Sequence, residues 1–137
     1  MNNEQKNITI IGITITIILT SISIYSWYFS FEQRANRILS SNVTIDSKII
    51  DDLKVNEWTS VAVILNQGNY TIDEVQNIIL KTLSEKEFSS RYKFSTSAII
   101  SGSITIEGLE KLANNPIVKE IESGHGLTNI STEVRVQ

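Results

Sequence analysis

The chain has 137 residues, with 12 Lys+Arg against 15 Asp+Glu, a single His and Pro, and no Cys. That length holds one ordinary domain with an appendage, and a formal charge of -3 lacks the clustered cations of a nucleic-acid module. The absence of Cys excludes disulfide frameworks, thiolate metal sites and cysteine nucleophiles together.

After a short flank (1–6), no charged residue occurs from Asn7 to Phe31. Ile8, Ile10, Ile11, Ile13, Ile15 and their successors make this stretch apolar. As a helix rising ~1.5 Å per residue it spans about 37 Å, enough for a ~30 Å hydrocarbon core with some tilt. Each Ile or Leu favours insertion by about 0.3 to 0.6 kcal/mol, offset in part by the interspersed Ser and Thr. Trp27 and Tyr28 fit an interfacial aromatic anchor. Residues 7–31 therefore read as a single membrane-spanning helix in contact with lipid. A cleaved signal peptide, ending at Ser21-Ile22-Ser23 and leaving a secreted protein, is the alternative. Lys6 on one side and Arg34 and Arg37 on the other mildly oppose an external C-terminal domain. Long domains translocate largely regardless of such small biases, and the expectation is an extracytoplasmic domain. Asn7, Asn42, Asn69 and Asn129 stand in Asn-x-Ser/Thr acceptors, a pattern that permits glycosylation without requiring it.

Residues 32–43 are polar and read as a stalk, possible continuation of the helix included. A domain over 44–123 follows, and then a Gly-containing polar tail over 124–137. Asp46 is placed to cap a short helix carrying Ile49, Ile50 and Leu53. Thr59–Leu65 is β-branched and reads as a strand ending at the Asn66-Gln67-Gly68-Asn69 turn. Thr71-Ile72-Asp73-Glu74 is a capping box opening a helix to about Leu83, with Ile72, Val75, Ile79 and Leu83 on one face. Ser90–Ser95 and Ala98–Ile104 read as two strands. In the second, Ile100, Gly102 and Ile104 share one face, and Ile99, Ser101 and Ser103 the other. Thr105 caps a helix lined by Ile106, Leu109, Leu112 and Ala113, which Asn114-Asn115-Pro116 stops. Ile117–Glu122 is a last strand.

This order, strand–helix–strand–strand–helix–strand, predicts an α+β domain. Right-handed crossovers give a ferredoxin-like βαββαβ sandwich, a four-stranded antiparallel sheet with both helices on one face. Val61, Val63 and Leu65 are then expected under Val75, Ile79, Leu109 and Leu112. Ser60, Ala62 and Ile64, with Ile99, Ser101 and Ser103, are expected on the open face.

The chemistry inventory is thin. His125, between Gly124 and Gly126, has no converging nucleophile and orienter and reads as a solvated loop residue. Metal ligation would want His or Cys partners, so no metal, no cofactor and no catalysis are expected. Tyr92 and Phe94 could stack on bases, but only Arg91 and Lys93 flank them, and no nucleic-acid partner is expected.

Ile104–Gly124, ITIEGLEKLANNPIVKEIESG, resembles the end of subtilisin-type propeptides and of the small proteinase inhibitors that share their fold. Leu109 and Leu112, then Asn115-Pro116, then Val118, Ile121 and Glu122 carry the likeness, and Trp58–Leu65 with its capped helix looks like the family's first strand and helix. The resemblance covers about residues 45–130. It departs where Ser123-Gly124 replace an acidic residue after Val-Glu, and where Ile100-Ser101-Gly102-Ser103 replaces an aromatic-Asn-Gly-aromatic motif.

The resemblance implies binding of a subtilisin-like serine protease, with the open sheet face on the protease and the tail in its cleft. With no protease following before Gln137, it implies a free-standing inhibitor or a chaperone acting in trans. Counted as in propeptides, Glu122 ends the strand, Leu127 falls on the fourth residue before the cleavage position, and Ile130 on the residue just before it. Thr128 and Asn129 lie between. The other reading is a membrane-tethered interaction or sensor domain of the same fold without a protease partner.

Overall fold

The computed structural model describes residues 2–124. Its backbone falls into two compact units, one through Gln33 and one from Arg34 onward.

The first unit is the greater part of helix α1, Asn3–Leu39, whose length is about 55 Å at ~1.5 Å per residue. By length and composition α1 is able to cross a membrane. Six of its Ser and Thr hydroxyls bond back to the helix itself. Thr9, Thr14, Thr16, Ser21 and Ser23 each donate to the carbonyl four residues earlier, at 2.8–3.0 Å. An apolar solvent offers them no other partner, so this internal bonding lowers the cost of the Ser and Thr content. At the far end of the apolar run, Tyr25 stacks on Phe29 and Trp27 on Phe31, each pair one helical turn apart.

In the second unit the stretch read as a stalk is structured. Arg34–Leu39 are the last turns of α1, with Ala35 and Ile38 buried. Arg34 and Arg37 pair with Glu107 and Glu110, both at 2.9 Å. The remaining elements are β1 (Thr44–Ile45), α2 (Ser47–Val55), β2 (Thr59–Leu65), α3 (Ile72–Thr82), β3 (Phe88–Lys93), β4 (Ile99–Ile104), α4 (Ile106–Ala113) and β5 (Val118–Ser123).

The helices start where short polar side chains accept orphan N–H groups. Asp46 accepts from Lys48 N, Thr71 and Glu74 form a complete capping box, and Thr105 accepts from Gly108 N.

The sheet order is β1-β5-β2-β4-β3. β5, β2, β4 and β3 are antiparallel to one another in turn, whereas β1 runs parallel to β5. The expected four-stranded antiparallel sheet is thus corrected to a five-stranded mixed one. The added strand is two residues long, Thr44 beside Glu120 and Ile45 beside Ile121, and Asp46 N extends it by donating to Ile121 O at 3.0 Å. So short a strand carries no alternating pattern of its own to announce it.

The core lies between one sheet face and the helices. Val61, Val63 and Leu65 meet Val75, Ile79, Leu109 and Leu112 there, all at most 5% exposed. β3 begins two residues earlier than the sequence reading places it, and this brings Phe88 into the core, fully buried.

Candidate functional site

Strand register determines what the sheet's other face presents. Three rows of side chains cross it. The first is Ser89–Ser103–Ser60, from β3 to β2. The second is Tyr92–Ser101–Ala62–Glu122. The third joins Ile99 and Ile64 to Glu120 and Thr44. Phe94 extends this third row, because its N–H donates to Ile99 O at 3.1 Å.

The face is therefore graded, with hydroxyls at one end, an apolar stripe at the other and carboxylates along the β5 side. It presents exposed Ser60 and half-buried Ile64, Ile99, Ser101 and Ser103. Ala62 shares the face by register but is only 2% exposed. Glu122 is exposed on the same face. Beside it, a groove of about 460 Å³ runs between β1 and β5 and is lined by Thr44, Asp46, Lys48, Glu120 and Glu122.

The alternation of β2 and β4 predicts six residues for this face, and the register places those six side by side, Ala62 among them though buried. It does not predict Tyr92, Phe94 or Glu120 there. Tyr92 is 60% exposed and meets Phe94 edge-on, with ring centroids 5.1 Å apart. Simple alternation from Phe88 sends Tyr92 to the helix side. A bulge reverses this, since Ser89 pairs with Ser103 but Tyr92 with Ser101, leaving Ser90 and Arg91 opposite Gly102 alone.

The framework behind the face is firmly tied. Gln76, 2% exposed on α3, donates through Nε2 to the carbonyls of Phe94, Ser97 and Ile99 and so holds the β3–β4 turn. Lys111 donates to Glu87 at 2.6 Å, and Ser84 donates to the same carboxylate through its N–H and hydroxyl. The lysine contact above all, then the Ser84 N–H, hold the Glu87 carboxyl down at about 2. Asp73 is likewise lowered by the hydrogen bond and charge of Lys93.

No group of three or more His, Cys, Asp or Glu side chains able to hold a metal ion occurs among the described residues. Leu127, Thr128, Asn129 and Ile130, together with His125, lie outside the described residues. Gly124 lies within them and packs closely, since a Cβ there would come within 2.8 Å of Ser60 Cβ and 2.9 Å of Ser60 C. The chain thus leaves β5 directly against the start of β2, at the serine end of the face.

Comparison with protein-family models, with curated proteins and with solved structures gives no match in any of the three.

Proposed function

We propose that this chain is a membrane-anchored, subtilisin-propeptide-like protein that binds a subtilisin-like serine protease as an inhibitor or trans-acting folding chaperone. α1 is the single-pass anchor, and the domain after it is extracytoplasmic. In this reading β2 to β5 with α3 and α4 are a ferredoxin-like unit, and β1 is an addition to it. The open face docks on the protease, and the tail, with Leu127 and Ile130 as its apolar side chains, lies in the cleft as an extended strand.

One observation carries the proposal: the sheet face away from the core sets half-buried Ser101 beside buried Ala62, both small, between an aromatic edge and a carboxylate edge. Small residues at the centre allow a partner's backbone and helices to approach closely. The Leu112-to-Glu122 pattern, ending in a strand whose continuation is the tail, adds the family likeness.

A second reading, a membrane-tethered interaction or sensor domain without a protease partner, is favoured by β1. That strand covers the β5 edge, and the resemblance does not imply it.

The test uses the full chain in detergent micelles, titrated into subtilisin-like proteases and, separately, into the same proteases refolding from denaturant. Inhibition at micromolar concentration or faster recovery of activity is expected. Neither effect on any of them would overturn the proposal.

A further inference from the structure

The bulge in β3 determines which side chains the open face offers, and its consequence is largest at Tyr92. From Phe88 inward and Ser89 outward, unbroken alternation would turn Arg91 and Lys93 out and Tyr92 in. The extra residue inverts this parity. Arg91 is turned to the helix side, where it donates to Leu83 O at 2.8 Å and to Phe88 O at 2.9 Å. Lys93 follows it and pairs with Asp73 and Asn77. Two cations are thereby withdrawn from the face and given partners, and Tyr92 and Phe94 take their place.

The arrangement is built at some expense. Ser90 sits at φ 50°, in the left-handed region that disfavours a residue with a Cβ. On the opposite strand, a Cβ at Gly102 would come within 2.5 Å of Ser89 O and 2.8 Å of Phe88 Cζ, so only glycine seats the bulge and the buried ring together. Bulges of this kind re-aim side chains at sheet edges.

The geometry points to Tyr92 as the anchor of the docking face, a specificity-determining residue whose ring enters an apolar recess on the protease surface. This rests on the protease reading above. Three features select it. It is a large aromatic left 60% exposed, its ring is held by Phe94, and its row neighbours Ser101 and Ala62 are small, so it stands above the sheet. Anchors of protein interfaces are most often aromatic side chains that are rigid before binding. The paired rows carry Glu120 and Glu122 and no Lys or Arg, so the matching surface is apolar where Tyr92 lands and positive toward β5.

The experiment compares the unaltered full chain, Tyr92→Ala, Tyr92→Phe and Arg91→Ala in detergent micelles. Each is titrated into a subtilisin-like protease, and its thermal melting is recorded. Tyr92→Ala is expected to weaken inhibition by at least about tenfold with unchanged melting, and Tyr92→Phe to retain it within about threefold. Arg91→Ala is expected to lower the melting temperature while leaving inhibition by the folded chain intact. Full inhibition by Tyr92→Ala would overturn the anchor and leave the protease reading standing. No inhibition by the unaltered chain would overturn both.

Discussion

Glu87 ties together parts of the chain that are distant in sequence. Its carboxylate accepts from Lys111 on α4 and from Ser84 in the turn after α3, and its own carbonyl accepts from Thr105 N at 3.0 Å. The approach is tight, since a Cβ at Gly108 would lie 2.5 Å from that carbonyl oxygen. In the folded chain the carboxyl titrates at about 2, against 4.5 without these partners. As pH falls below about 4.5 the unfolded chain takes up a proton that the folded chain refuses, so stability is lost between there and about 2. Above that window the contribution is fully present. Asp73 and Glu74 are lowered too and act in the same direction. Glu87→Gln is therefore expected to flatten, without abolishing, the fall of the urea midpoint below pH 5. Urea titrations at pH 7, 4 and 3 measure it, and an unchanged pH slope in the variant would contradict the assignment.

Among the elements, the β3–β4 hairpin depends most on a single side chain outside it. Gln76 reaches from α3 to three turn carbonyls, at 2.8, 3.1 and 2.8 Å. Gln76→Leu keeps the side chain's bulk but removes this shared donor, leaving Ser97 O and Ile99 O with only the backbone N–H groups of Ile99 and Phe94. The expected cost is about 1–3 kcal/mol, with faster amide hydrogen exchange across residues 94–99 than in the helices. Uniform exchange in the variant and the unaltered chain would show that the turn does not need the clamp. The same hairpin marks the boundary of what local sequence can convey. The caps at Asp46, Thr71 and Thr105, the apolar faces of α3 and α4 and the alternation of β2 are local patterns, and they are visible as such. The bulge is not, because its parity depends on a glycine across the sheet and a phenylalanine beneath it. β1 is likewise specified by the backbone of β5 and not by its own two residues. The helical end of α1 did carry a usable signal, Ala35 and Ile38 three residues apart among polar neighbours, which a reading for charge alone passes over.

The molecule as a whole joins an apolar helix long enough for a membrane to a domain that covers one sheet face with its own helices and leaves the other graded from hydroxyl to aromatic to carboxylate. In the function proposed above, a subtilisin-like protease docks on that open face. Ser101 is the most direct probe, because it lies on a central strand between Tyr92 and Ala62 and takes no part in the core. The measurement is the inhibition constant of the full chain and of Ser101→Arg against one protease, with melting curves to confirm that both are folded. A bulky cation at that point holds the two surfaces apart, so inhibition should weaken by tenfold or more, a loss of about 1.4 kcal/mol or above, at unchanged melting temperature. Equal inhibition by the two folded chains would contradict docking through this face.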